Sequence, residues 1–389
     1  APGTRQLLLT GAREHKNNTF HVQMLNYRKV VCVMGSPRNN SSKELTIYDI
    51  AAEAGVSAST VSRVLTNSAR VNEDKKIRVQ KIIDKYNFKP NTFAKGLIDA
   101  KSRTIGILMT DIRDPFYASM FIACEQAARK ENYSVTLYNS LGDAALERSL
   151  LGKLQAQRVD AVILLGGREE ELNTDMEYVE MINNALSTIP AIITGKLDGT
   201  DCHMVRIDHM QSMDLLMDHL LSLGHSRIAV LGGSMNMLST FEKVARFKQI
   251  LKQNRLLSEP DLISQNGMYD TDSGYTHMNR LFEKGLLPTA VIAVNDHTAL
   301  GIMQSIREHG LKIPGDISVV SCGNTYLAES SYPKLTSIDY NDTEYGALLV
   351  RTAIRRIERQ PVERLQLIAP ALIIRESSGR AKKTLSEEP

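Results

Sequence analysis

Residues 44–72 read ELTIYDIAAEAGVSASTVSRVLTNSARVN, and three helix starts crowd into them. Thr46, followed three residues later by Asp49, has the spacing of a capping box: the hydroxyl accepts a free backbone N–H and the acid reaches back to the cap. Ile47, Ile50, Ala51 and Ala54 then fall on one face, and Gly55 supplies the left-handed residue that ends a helix cheaply. Ser57 caps a second helix after a very short turn, with Val61, Val64 and Leu65 as its buried stripe and Asn67 as its end. A third helix starts near Asn72, with Ile77, Ile82, Ile83 and Tyr86 as its inner face. Two short helices around a Gly-containing turn form a helix-turn-helix pattern, whose second helix enters the DNA major groove. That helix leaves Ala58, Ser59, Ser62 and Arg63 pointing away from the core. Arg suits bidentate contact with guanine, while Ser and Ala permit close approach to base edges and thymine methyls. The same spacing also fits a plain helical hairpin with a solvated face, so the rest of the chain has to decide.

The chain of 389 residues is long enough for two or three domains, and 42% of it is hydrophobic. No eighteen-residue apolar run is present, so no membrane-spanning helix is expected. The net charge of +3 hides an asymmetry: residues 1–103 hold 18 basic against 8 acidic side chains, and the remainder 29 against 36. A basic front on an acidic body implies that only the front meets phosphate. Cys32, Cys124, Cys202 and Cys322 lie far apart with no C-x-x-C pair, the pattern of reduced, cytosolic thiols and not of a metal site or disulfide framework. Residues 1–44 have no sustained period and read as a disordered basic extension, with Met24 and Met34 as internal start candidates.

From Thr104 the pattern changes to short apolar runs: TIGILMT, SVTLYN, AVILLGG, AIITG, RIAVLGG, AVIAVN and ISVVSCG. Amphipathic helices are expected between them at Ala118–Glu131, Ala144–Gln157, Met210–Leu223 and Phe241–Asn254. Apolar runs buried on both faces and spaced by helices mean doubly wound parallel sheets. There are too many strands for one small sheet, and a polar break falls near Leu197–His203, so two similar α/β lobes are expected. Ligands in such lobes sit outside the carboxyl ends of the strands, where this sequence places Asp111, Asn139, Lys196, Asn295, Asp296 and Asn324. An enzyme finds little support. The glycine pairs lack G-x-G-x-x-G or G-x-x-x-x-G-K-[ST] spacing, no His pair has metal-ligand spacing, and no G-x-S-x-G elbow occurs. No cofactor and no metal are expected.

Taken in order, LTIYDIAAEAGVSASTVSRVL, YNFKPNTFAKGL, IGILMTDIRDPFY, RVDAVILL, LGHSRIAVLGG, NDHTALG and IPGDISVVS resemble the LacI/GalR family of bacterial transcription regulators over residues 45–378. The resemblance implies an all-α helix-turn-helix head (45–90), a hinge helix (91–103), a two-lobed core like that of periplasmic sugar-binding proteins (104–378) and a flexible tail (379–389). It implies a homodimer on a near-palindromic operator, acting as a cytoplasmic repressor under control of a small-molecule effector, a sugar or sugar phosphate. The tail lacks leucine heptads, so a dimer and not a tetramer is expected. DNA contact is expected from Thr46, Ser57, Ala58, Ser59, Thr60, Ser62, Arg63 and Asn72. In the hinge it is expected from Asn91, Lys95 and Leu97, the last falling on the family's minor-groove wedge. Effector contact is expected from Asp111, Phe116, Tyr117, Lys196, Lys243, Tyr269, Asn295 and Asn324. Three departures stand out. Lys243 lies where the family most often has an arginine, Gly323 where many members carry an aspartate, and Gly195–Lys196 replaces an Asp-Arg pair. GK with GNTYLAE is similar to members that sense maltose-like or trehalose-type sugars, and it fits a phosphorylated or non-sugar ligand equally. A transport-type solute receptor would share the core but carry a signal peptide in place of the head.

Overall fold

The computed structural model describes residues 45–66, 71–88, 102–256, 259–264 and 266–382. The chain divides at Asn91 into a small head and a large body. Residues 1–44, the expected hinge contacts Asn91, Lys95 and Leu97, Cys32 and Asn67 lie outside the described residues.

The head is three helices, α1 (Ile47–Ala54), α2 (Ala58–Thr66) and α3 (Glu73–Tyr86). Its core is Ile50, Ala51, Ala54, Val61, Val79 and Ile83. With only four large aliphatic side chains, each contributing about 1.5–3 kcal/mol, local caps of about 1 kcal/mol each matter. Both arms of the capping box form: the Thr46 N–H donates to Asp49 Oδ2 at 2.8 Å and the Asp49 N–H donates to Thr46 Oγ1 at 3.4 Å. Gly55 ends α1 in the left-handed conformation, φ 63°. The expected inner face of α3 needs correction. Val79 and Ile83 are buried, but Ile77 and Tyr86 are 49% and 43% exposed. Helical spacing allowed either stripe, and the packing of α1 and α2 selects the one through Val79. Tyr86 turns outward beneath Lys85, whose ammonium pairs with Glu53 at 2.8 Å.

In the body, β1 (Thr104–Met109), α4 (Pro115–Lys130), β2 (Ser134–Asn139), α5 (Ala144–Ala156), β3 (Ala161–Leu165), α6 (Met176–Ala185), β4 (Ala191–Ile193) and β5 (His203–Ile207) build the first lobe. The chain then crosses to α7 (His209–Ser222), β6 (Ile228–Leu231), α8 (Leu238–Gln253), α9 (Thr271–Glu283), β7 (Ala290–Ala293), α10 (Asp296–Glu308), β8 (Ser318–Cys322), α11 (Tyr326–Ser330) and β9 (Thr336–Asp339). It returns for α12 (Asp342–Ile357) and β10 (Leu365–Ile368), and β11 (Ala371–Ile373) closes the second lobe. The sheets run β10-β5-β4-β3-β1-β2 and β11-β9-β8-β7-β6, parallel except for β11. Doubly wound parallel sheets are therefore present in both lobes. The polar break at Leu197–His203 does not divide them. It precedes β5, which belongs to the first sheet, and α12 packs on α4 although it follows the second-lobe strands. Short half-polar strands such as β5 and β10 give little sequence signal.

Both sheets are buried on both faces. Side chains on one face of each join a large cluster that includes Met109, Ile163, Val230, Phe247 and Tyr345, and the opposite faces form separate clusters around Leu164 and Ile292's neighbours Val291 and Ala293. Cys124, Cys202 and Cys322 are buried free thiols, and burial pushes Cys124 up to about 12. Among the described residues no helix is long and apolar enough to cross a membrane, and no His/Cys/Asp/Glu group could hold a metal.

Candidate functional site

On the head, Ser57 organises the start of α2. Its Oγ lies 2.8 Å from Ser59 Oγ and 2.9 Å from Thr60 Oγ1, and it accepts the Thr60 N–H at 3.3 Å. Ser59 and Arg63, four residues apart on α2, are exposed, and among the described residues no carboxylate holds Arg63. Thr46 is exposed at the start of α1, and Ser62 is half-buried between Val61 and Arg63. Ala58 departs from its expected outward position: it packs half-buried against the head's core. Asn72 caps α3, its Oδ1 accepting the Asp74 N–H at 3.0 Å, which leaves its amide N–H groups outward. Sequence reasoning missed Tyr48, 71% exposed on α1.

In the body, the strand ends of both lobes meet at one cleft. Asp114 caps α4 through the Phe116 N–H at 2.9 Å, with Pro115 at its first position. That start throws Phe116 and Tyr117 toward the cleft, their rings 5.3 Å apart edge to face. Phe116 also meets Tyr340 at 5.9 Å, and Tyr340 meets His209 at 6.1 Å, so an aromatic edge runs from α4 to α7. The Tyr117 hydroxyl lies over Gly166, where a Cβ would come within 2.0 Å of it.

The charged centre is built by a 3-10 turn at Arg168–Glu170. A Cβ at Gly195 would fall 2.0 Å from the Glu169 carbonyl oxygen, and the Lys196 N–H donates to that same oxygen at 2.7 Å. Glycine at 195 therefore lets the turn lie directly on the end of β4, which carries Glu170 into the cleft. Burial pushes Glu170 up to about 7; Arg206 and Lys243 oppose the shift, as does a hydrogen bond with Thr194, and Glu242 adds to it. Arg206 on β5 and Glu242 on α8 pair at 2.7 Å, joining the lobes, with side chains only 13% and 23% exposed. The Leu172 N–H donates to the Asn236 carbonyl at 2.6 Å, a second tie across the lobes. Lys243 is 5% exposed, and among the described residues it has no carboxylate or hydrogen-bond partner. His209 is buried and held neutral, by burial first and then by Lys243 and Arg206, and its Nδ1 lacks a partner among the described residues. Glu169 is buried with both carboxyl oxygens unpartnered, and burial holds it protonated well above the usual range.

Other expected effector residues are committed to the protein itself. Asp111 takes a bidentate grip from Arg113, with Nη2 to Oδ2 at 2.6 Å. Asn139 Oδ1 accepts the Ile112 N–H at 2.9 Å. Lys196 is exposed and pairs with Asp198 at 2.7 Å, so it is not a second free cation of the cleft. Tyr269 is partly exposed, its hydroxyl 2.7 Å from Thr240 Oγ1. Asn295 caps α10 through Thr298 and donates to the Tyr269 carbonyl at 2.8 Å. Asn324 Oδ1 accepts from Arg375 at 2.6 Å. Asp296 is a buried hub accepting from Ser321, Ser337 and Thr325. Gly323 sits beside it at φ 124°, with room for a Cβ only 3.3 Å from Asp296 Oδ2. Sequence reasoning missed Glu170, Arg206, Glu242, His209 and Tyr340. The only sequence trace of Arg206 is its place in HMVRI, a strand too polar to stand out.

Comparison with known proteins agrees with these two parts. Residues 46–91 match the model of bacterial regulatory proteins of the lacI family, and residues 217–378 match a periplasmic binding protein-like domain. Catabolite control protein A of Staphylococcus epidermidis is 30% identical over 328 residues, covering 84% of this chain and 96% of that protein. Its counterpart in Priestia megaterium is 30% identical, covering 82% and 94%. The lac repressor dimer bound to operator and the anti-inducer ONPF superposes with a TM-score of 0.78 at 27% identity, covering 87% of this chain and all of that one. The transcriptional regulator CelR in complex with cellobiose superposes at 0.64 with 25% identity, covering 86% and 100%. A helix-turn-helix head with an exposed Arg63, a two-lobed body and relatives matched over nearly their whole length lead to one assignment: this chain belongs to the lacI family of bacterial regulatory proteins, the DNA-binding transcription regulators.

Proposed function

We propose that the protein is a cytoplasmic, homodimeric repressor, not an enzyme, whose operator affinity is set by a carbohydrate effector, neutral or phosphorylated, held between the two lobes. The observation that carries the effector reading is Lys243: a side chain only 5% exposed with no carboxylate at ion-pair distance among the described residues, beside an aromatic edge, in a chain whose relatives include a regulator in complex with cellobiose. A cation so sheltered from water interacts more strongly with a ligand oxygen than an exposed one does. Phe116, Tyr117 and Tyr269 supply flat apolar faces for a sugar ring. Lys243 holds the anionic or most electron-rich oxygen as a point charge. Glu170 takes the acidic role on the cleft floor that position 195 or 323 would otherwise fill.

On DNA, Arg63 and Ser59 read base edges, while Thr46, Ser57, Thr60, Ser62 and Asn72 set the head on the phosphates. Asn91, Lys95 and Leu97 contribute the hinge contacts that the family resemblance implies. Isothermal titration of paired sugars and sugar phosphates, repeated with Lys243→Gln, tests the effector. Loss of one charge-assisted hydrogen bond, about 1.5–3 kcal/mol, should weaken a sugar phosphate at least tenfold and a neutral sugar much less. Sugars that bind wild type and variant alike, with no sugar phosphate bound, would return Lys243 to a structural role. An operator gel shift with and without the bound sugar separates this repressor from a solute-binding sensor with no operator control.

A further inference from the structure

The first lobe contains a second concavity at the opposite ends of its strands from the effector cleft. It has a volume of about 850 Å³ and lies where β4 and β5 begin, between the end of α6 and the end of α12. Three arginines line it. Arg356 closes the last turn of α12, Arg359 follows in a left-handed turn residue at φ 59°, and Arg364 stands just before β10. Arg364 is spent in part on the protein, one Nη donating to the Thr200 carbonyl. Arg356 and Arg359 have no carboxylate or hydrogen-bond partner among the described residues. Asp201 is the one acidic residue in the lining, and His203 lies beside it with its pKa lowered, first by burial and then by Arg356.

This concentration runs against the charge of its surroundings. The chain beyond residue 103 is acidic, with 36 acidic against 29 basic side chains, and several of its arginines, among them Arg206, Arg227 and Arg246, are paired with carboxylates. Three guanidiniums around one concavity with a single acid leave an excess of two positive charges there. Like charges so placed repel one another in the empty protein, and an anion reverses the sign of that interaction. Planar guanidinium forks match phosphate oxygens two at a time. The volume exceeds what a single inorganic phosphate fills and suits a small molecule with two phosphate groups.

We infer that this concavity is a second binding site, separate from the effector cleft, for a small multiply phosphorylated metabolite gripped by Arg356, Arg359 and Arg364. The site is bordered by the starts of β4, β5 and β10, and Arg206 lies toward the far end of β5.

The test uses the full-length chain with inorganic diphosphate as probe, and orthophosphate and sulfate as comparisons, in isothermal titration and hydrogen exchange. Saturable diphosphate binding is expected, at least tenfold tighter than orthophosphate, with protection concentrated at residues 183–203 and 356–364. The double variant Arg356→Gln/Arg359→Gln should lose it at least tenfold, while Lys243→Gln leaves it unchanged. Equal thermal stability of the double variant and wild type excludes misfolding as the cause; should the double variant, which alters the half-buried Arg356, be unstable, the exposed Arg359→Gln alone carries the same expectation at a smaller factor. Binding that survives in the double variant but vanishes in Lys243→Gln would put the anion in the effector cleft and overturn the inference. So would equal affinity for diphosphate and sulfate, or loss of non-specific DNA binding with no diphosphate site at all.

Discussion

At Glu170, burial raises the carboxyl while Arg206 and Lys243 pull it down, and burial prevails at about 7. The folded-state value lies above the ordinary 4.5, so the folded protein binds more protons than the unfolded chain between those two pH values. Stability from this group is thus present below about pH 4.5, declines as pH rises toward 7, and stays lowered above it. Glu170→Gln, which mimics the protonated form, should raise the melting temperature by a few degrees at pH 8 and leave it unchanged at pH 4.5, as differential scanning calorimetry at the two pH values would show. At Arg63 the expectation concerns information and not bulk affinity. Arg63→Ala should lower the ratio of operator to random-DNA binding by about 1–3 kcal/mol while random-DNA affinity falls far less. An equal loss on both DNAs in fluorescence anisotropy would make Arg63 a phosphate contact. Neither residue stood equally plain in the sequence. Arg63 was legible because helical spacing alone sends it outward from Val61, whereas Glu170 sits in a run of three glutamates, Glu169–Glu171, with no periodic signal to say which enters the cleft.

Among the elements, short turns at strand ends decide more than the long helices do. Gly195 and Gly323 stand where the family resemblance implies acids, and each has a local reason to be glycine. At 195 the 3-10 turn occupies the space of a Cβ, and at 323 a φ of 124° is one that L side chains rarely adopt. Gly323→Asp should therefore fail to rebuild a sugar contact. Strain of about 1–3 kcal/mol adds to repulsion from buried Asp296, and chemical denaturation should show a loss of at least that size without any gain in sugar affinity. The helices expected at Ala144–Gln157 and Met210–Leu223 were readable from their spacing, and the structure adds caps at Asp143 and Asp208, each accepting a first-turn N–H. The inner face of α3 was not, because Ile77 and Val79 both satisfy a helical stripe and the partner helices choose between them.

For the whole molecule, the effector and the operator are expected to share one linkage. If a sugar weakens operator binding by a given factor, operator DNA must weaken sugar binding by the same factor, a coupling of about 1–3 kcal/mol in regulators of this kind. Titrating the sugar into free protein and into the protein–operator complex checks this directly. A measured difference between the two factors would mean that sugar and operator do not act through one equilibrium. The Arg206–Glu242 pair belongs to this scale, since it ties the lobes from β5 to α8.

The sequence alone determined what local chemistry can write. That includes the capping box at Thr46, the left-handed Gly55, the outward Ser59 and Arg63, the seven apolar strands and the alternation that makes doubly wound lobes. Each of these depends on neighbours a few residues away. Tertiary structure decided what depends on distant partners: β5 and β10 joining the first sheet, α12 returning to it, and Arg206 meeting Glu242. It also separated two lysines of the same type, leaving Lys243 buried without a partner and Lys196 exposed beside Asp198. Burial and charge pairing are properties of the packed chain, and residue spacing does not encode which of two equivalent side chains will keep its counter-ion.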